Sequence, residues 1–389
     1  MTELSDGGAA VLGGPSAGVR GQVDRVPADR ASVARTDDRA GLAPGASPAG
    51  AGVEDAADGP RGDAQLLRRT RPYTAEQPAR SWGLLIQTLL VLTAGMVGIV
   101  LVQPWWLKVP LAVVVGLVNI RLFIFYHDYL HGALLRRSRA ASALMTLVGM
   151  HLLAVRSVWQ ETHDYHHRNN ARMVGSSIGS YPVVNLRMWR RMNAGQRRIY
   201  RVMRHPVTIA LGYFTVFLVG MSFSPFRRDP GRHWLGPVAV VVHVGLTVGA
   251  SLLWNPLTGI CLFVIPMIVA MGAGSYLFYA QHNFPDVRLF ERRHWTFTDA
   301  ALRSSSMFEM PRLMHWFTGN IGYHHIHHLN HRIPFYRLPE VMAEIPELQQ
   351  AGRTSWRPSA IKACLDLAVW DPEQGRMITW TELAAKEAA

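Results

Sequence analysis

The stretch WGLLIQTLLVLTAGMVGIVLVQ, residues 82–103, runs without a charged side chain. A helix needs about 20 mostly apolar residues to cross the hydrocarbon core of a bilayer. This run supplies them in one piece. After the short turn PWWLKVP a second apolar run, 109–126, returns. Two more spans are expected at 235–254 and 257–279, joined by a turn at Asn255-Pro256. Weaker runs lie at 140–155 and 206–223.

Composition agrees with a membrane protein. Of 389 residues, 49% are hydrophobic and 17% charged, too apolar for an ordinary soluble two-domain chain. The formal charge of +13 invites a nucleic-acid reading. The cations, however, are almost all arginines that flank apolar runs, with lysine only at Lys108, Lys362 and Lys386. Clusters so placed mark membrane orientation, and no nucleic-acid partner is expected. Cys261 and Cys364 are too few for a disulfide framework or a cysteine-rich zinc site. No basic segment followed by an apolar one opens the chain, so no signal peptide is expected. Residues 1–75 have no apolar period and read as a disordered tail, and 381–389 as a short C-terminal tail.

Parity decides which weak runs cross. The second span ends at His127 and the last at His282. If both ends share a side, an even number of crossings separates them. Arg187, Arg190, Arg191, Arg197, Arg198, Arg201 and Arg204 precede the 206–223 run, and Arg227, Arg228 and Arg232 follow it. Positive charge on both flanks makes it a dip into one face. The 140–155 run is short for a span and is placed at the interface. Four crossings remain, with both chain ends and the arginine-rich loops cytosolic.

Histidines then gather on that face. FYHDYLHG places His127 and His131 four apart, on one side of a helix. WQETHDYHHRNN offers His163, His166 and His167. GNIGYHHIHHLNHRIPFY, residues 319–336, repeats that spacing as His324, His327 and His328. One such patch could be a solvated polar loop; a pair and two identically spaced triads point to metal. So many imidazoles exceed what one metal takes, so two are expected, and imidazole suits redox metals that can use O2. Asp128, Glu161 and Asp164 lie beside the clusters as candidates to hold the rings, or as plain solvated acids.

These clusters resemble the three histidine boxes of the membrane fatty acid desaturases. The likeness runs from about residue 80 to about 380. The blocks FYAQHNFPDV, MHWFTGNIGYHHIHHLNHRIPFYRLPE and VWDPEQGRM are most similar to the bacterial acyl-lipid, omega-6 (delta-12-like) branch. The resemblance implies an all-α integral membrane fold: four transmembrane helices, interfacial helices and a cytosolic helical cap carrying a histidine-rich di-iron site, as one domain over 76–380. It implies an inner-membrane, O2-dependent desaturase that places a cis double bond in a membrane-lipid acyl chain. By motif, the iron ligands are His127, His131, His163, His166, His167, His324, His327 and His328, with His325 and His331 at non-ligand positions. His282 is expected as a ninth ligand, because it leaves the last span on the same face and relatives supply a histidine there. Phe278 stands where relatives of the stearoyl-CoA type carry Asn.

No glycine-rich dinucleotide fingerprint, cysteine cluster or haem motif is present, so electrons are expected from a separate ferredoxin-like or other donor protein. A hydroxylase or ketolase on the same scaffold shares these ligands. A metal transporter is the more distant alternative and would place its ligands at the bilayer midplane. Gly245 and Gly249 read as a helix-packing pair. Arg121 is expected to snorkel to the interface, a lipid-headgroup contact being the sharper reading. Residues 357–370 read as an amphipathic helix on Ile361, Cys364, Leu365 and Ala368.

Overall fold

A computed structural model describes residues 60–173, 175 and 178–388; residues 1–59 of the tail expected over 1–75 lie outside them. Among the described residues, four helices are long and apolar enough to cross a membrane: Pro78–Leu101, Trp105–Leu130, Leu235–Leu253 and Pro256–Ala280. The second and fourth form the inner pair. They approach so closely that a Cβ on Gly116 would lie 2.8 Å from the Pro266 carbonyl oxygen. Only glycine permits that contact. The first and third spans turn apolar side chains outward, with Leu252 and Leu253 82% and 75% exposed. Such a belt is stable against lipid rather than water. The second span runs past its apolar window, because its last turns, including buried His127 and Asp128, enter a protein cap instead of solvent.

The weak runs stay on the cap side. Helices Arg139–His151 and Arg156–Asn169 meet at 88°. Neither is long enough to cross alone. After helix Pro206–Ala210, residues Tyr213–Phe223 wind as a π-helix. Arg204, just before it, donates to the Leu367 carbonyl at 3.0 Å. Beyond it, Arg232 pairs with Glu161 at 3.0 Å, and His233 Nδ1 lies 3.1 Å from Ser157 Oγ. Both flanks therefore touch the cap, as a dip requires.

The cap is mostly helical, with two two-stranded sheets: Met307–Glu309 parallel to Arg353–Ser355, and Leu367–Asp371 antiparallel to Arg376–Thr379. The helix expected over 357–370 stops at Asp366. Leu367–Asp371 is buried at every position, a pattern that a strand enclosed on both faces satisfies better than a one-sided helix. The segment expected to be tail through residue 75 is also structured from Pro60 on. Helix Pro60–Thr70 and the turn after it pack on the cap, where Asn330 donates to Thr70 Oγ1 at 2.9 Å and Tyr73 bonds Glu344. At the other end, helix Trp380–Ala388 buries Leu383, and its Lys386 reaches Asp371 at 3.2 Å. Lone side chains that find partners only in the fold order both segments.

Two further readings change. A Cβ on Gly245 or Gly249 would meet nothing within 4 Å, so neither packs against a helix among the described residues. Arg121 does not snorkel; it is 3% exposed. Its Nε donates to Thr88 Oγ1 at 3.0 Å and its Nη1 to the Trp316 carbonyl at 2.6 Å. These bonds tie the first two spans to the cap.

The topology is open to cysteine labelling. With a membrane-impermeant maleimide, Gly231→Cys should react from the same side as Arg332→Cys, and Gln103→Cys and Asn255→Cys from the other. Labelling of position 231 together with 103 would refute the dip.

Candidate metal centre

Three helical segments and one span end bring the histidines together. His127 and His131 close the second span; His163, His166 and His167 share one face of Arg156–Asn169; His324, His327 and His328 lie on the short helix His324–Leu329. His282 follows directly on the fourth span. They fall into two groups, each with one ring nitrogen per residue and all those nitrogens within 4.8 Å of one another. One holds His127, His131, His163, His167 and His327; the other holds His166, His282, His324 and His328. The second box is thus split between the groups. The nine residues named from the sequence are the nine that converge. His325 turns away, buried against the backbone of Ser306 and Leu348. The His331 ring lies 4.7 Å from that of His131 but belongs to neither group.

Ring geometry tests whether a metal fits. In the first group, His163 Nε2 lies 2.9 Å from His127 Nε2 and 3.1 Å from His167 Nε2. In the second, His282 Nε2 lies 2.9 Å from His324 Nε2 and 3.1 Å from His166 Nε2. Neighbouring nitrogens on one metal, each about 2.0–2.1 Å from it, stand about 3 Å apart. Tautomers decide the matter further. His127 Nδ1 donates to Asp128 Oδ1 at 2.9 Å, and His282 Nδ1 to the Ser304 carbonyl at 3.0 Å. A neutral imidazole has one N–H, so both rings present an Nε2 lone pair to the cluster. His131 Nε2 is buried with no hydrogen-bond partner. Lone pairs converging in a buried space call for a cation, and the residues present fit a metal in each group.

Protonation would oppose that. Burial first, then the charge of neighbouring rings, holds His131, His163, His167, His324, His327 and His328 well below the usual histidine range. Burial brings His282 down to about 4. Those seven rings are therefore neutral near pH 7, the form that binds metal.

The chain belongs to the fatty acid desaturase family. The family's model, described as "Fatty acid desaturase", matches residues 104–360. The chain is 27% identical over 264 residues to a fatty acid desaturase of Bacillus subtilis (strain 168), covering 67% of this chain and 74% of that one. It is 19% identical over 281 residues to an sn-1 oleoyl-lipid 12-desaturase of Picosynechococcus sp., covering 69% and 78%. It is 21% identical over 282 residues to an acyl-lipid omega-3 desaturase (cytochrome b5) of Arabidopsis thaliana, covering 68% and 70%. Membership makes this an oxidoreductase family member with a membrane-embedded fold.

Around the rings, this family member places supports of unequal legibility. Asp128 earns the role of ring holder: besides His127, its Oδ2 accepts the Phe335 N–H at 2.8 Å. Glu161 is spent on Arg232, and Asp164 meets no histidine. Trp159 stacks on His163 at 4.8 Å and lies one turn before it, so helical spacing could have flagged it. The Ser304 carbonyl carried no signal in the sequence. Phe278 packs its ring 5.1 Å from His166 and 5.7 Å from His282.

An apolar cavity of about 310 Å³ abuts the rings. His127, His163 and His324 form its polar end; Phe123, Met271, Leu277 and the π-helix residues Val216, Phe217 and Met221 form its walls. Gly179 (φ +67°) lets the chain turn beside it, where a Cβ would lie 2.3 Å from the Thr162 carbonyl oxygen.

His282→Ala removes one of four rings and should lower bound metal, measured by plasma mass spectrometry, by about half. His325→Asn should retain it. Equal metal in the wild type and His282→Ala would exclude His282 as a ligand. Asp128→Asn should weaken metal affinity about 10- to 100-fold in a chelator competition, since the tautomer of His127 is no longer fixed.

Proposed function

We propose that the protein is an O2-dependent acyl-lipid desaturase. In this reading it introduces a cis double bond into a membrane-lipid acyl chain, at the cytosolic face of a bacterial inner membrane, with electrons from a separate redox protein. The observation that carries it is the cavity, an apolar slot lined at its polar part by rings of both histidine groups. An unbranched hydrocarbon fits such walls through dispersion and loss of water contact. Bound by the two groups, a pair of irons with O2 supplies the oxidising power to remove hydrogen from an unactivated methylene.

The chain's own residues position and shield. Apolar walls hold the acyl chain so that one pair of neighbouring methylenes lies beside His127, His163 and His324. Asp128 keeps the proton on His127 Nδ1, and the Ser304 carbonyl keeps it on His282 Nδ1, so both Nε2 atoms face inward. Phe278 fills the space between the second group and the slot and excludes water. Gln281, which donates to the Ile321 carbonyl at 2.8 Å, fixes the wall beside His324. The ligands stand at the cap end of the spans rather than between them, which favours this reading over transport.

Expression in a host of known lipid composition, followed by acyl-chain mass spectrometry, tests the proposal. New cis-monoene or diene chains are expected. Hydroxylated chains would instead assign the hydroxylase chemistry, and unchanged lipids with full iron loading and a supplied reductant would sink both. Gly274 lines the cavity and a Cβ there would meet nothing within 4 Å. Gly274→Leu should therefore keep its iron yet shift products toward shorter chains.

A further inference from the structure

A second pocket, of about 380 Å³, lies between the start of the first span, the second span and helix Arg312–Phe317. It shares no lining residue with the acyl cavity. On the second span, Arg121 faces it, whereas Ile120, Phe123, Ile124 and His127 face the acyl cavity. The pocket is basic: Arg80, Arg121 and Arg312 line it with His315, and no acid does.

Arg121 has no anionic partner among the described residues; its guanidinium faces the rings of Trp316 at 4.5 Å, Phe335 at 5.4 Å and Phe125 at 5.7 Å. The residue is buried, two of its nitrogens go to uncharged oxygens, and Nη2 has no hydrogen-bond partner among the described residues. None of the three arginines forms an ion pair with a carboxylate among those residues. Glu340, which senses Arg80, is held by Arg337 at 2.7 Å. A buried cation without a counter-charge is costly, and an anion from outside the chain would relieve it. His315 adds a buried Nδ1 with no hydrogen-bond partner.

Placement identifies the source of the anion. Arg80 stands at the start of the first span, over the Tyr336 ring at 4.5 Å, and Arg121 lies well inside the second. Next to Arg312, Leu313 is 66% exposed, as on a helix resting in the bilayer surface. Basic pockets between spans at this depth take lipid headgroups. We propose that this pocket binds the phosphate of an anionic phospholipid, as a site apart from the acyl cavity that staples the first two spans to the cap.

The test uses the full chain purified in dodecyl maltoside, with thermal unfolding followed by intrinsic fluorescence. Phosphatidylglycerol should raise the midpoint saturably by several degrees, while phosphatidylcholine and inorganic phosphate should not. The Arg80→Gln/Arg312→Gln variant changes only exposed side chains; it should unfold at the wild-type midpoint without lipid and lose the phosphatidylglycerol shift. If that variant does not purify, Arg312→Gln alone should lose part of the shift. A variant that keeps the full shift, or an equal shift from phosphatidylcholine, would overturn the site. An equal shift from inorganic phosphate would overturn the lipid assignment.

Discussion

A ring nitrogen carries either a proton or a lone pair, and nine imidazoles, eight of them buried, facing two small centres cannot all pair with one another. Where Asp128 and the Ser304 carbonyl take the Nδ1 protons of His127 and His282, the inward nitrogens are bare. Only a cation satisfies several bare nitrogens about 3 Å apart. Much of the cap follows from that constraint. The second span must run beyond the apolar window, the 156–169 helix must lie across it, and the 324–329 helix must close from the far side.

The frame that holds those segments is polar and sits where lipid meets cap. Arg121 joins Thr88 of the first span to the Trp316 carbonyl, and Asp128 joins His127 to the Phe335 N–H. Tyr336 accepts the Gln77 N–H at 3.0 Å, pulling the start of the first span onto the same segment. Each bond is modest alone, but removing one partner of a buried pair leaves the other unsatisfied. The third histidine box is therefore fixed to the spans by backbone and side-chain bonds as well as by its rings.

The apolar cavity has a different origin. It lies beside the inner pair of spans, walled by the π-helix Tyr213–Phe223 and floored by histidines. A π-helix is wider than an α-helix and is found at functional sites more often than chance would place it. Here it carries Val216, Phe217 and Met221 to the slot while its flanking arginine clusters stay with the cap.

The sequence by itself determined the solvent and which histidines converge. Lipid demands about 20 apolar residues per helix, so four spans were legible. Helical spacing made two triads and a pair stand out, and the parity of the crossings put His282 beside them. Only tertiary structure decided how nine rings divide into groups of five and four, since His166 and His167 are neighbours in the chain yet face different centres. It also decided that Asp128 holds a ring while Asp164 does not, and that Arg121 turns inward. Those outcomes depend on backbone groups such as the Phe335 N–H and the Ser304 and Trp316 carbonyls. Every residue carries such groups, so no residue type announces them; which ones face a buried side chain is settled only when distant segments meet.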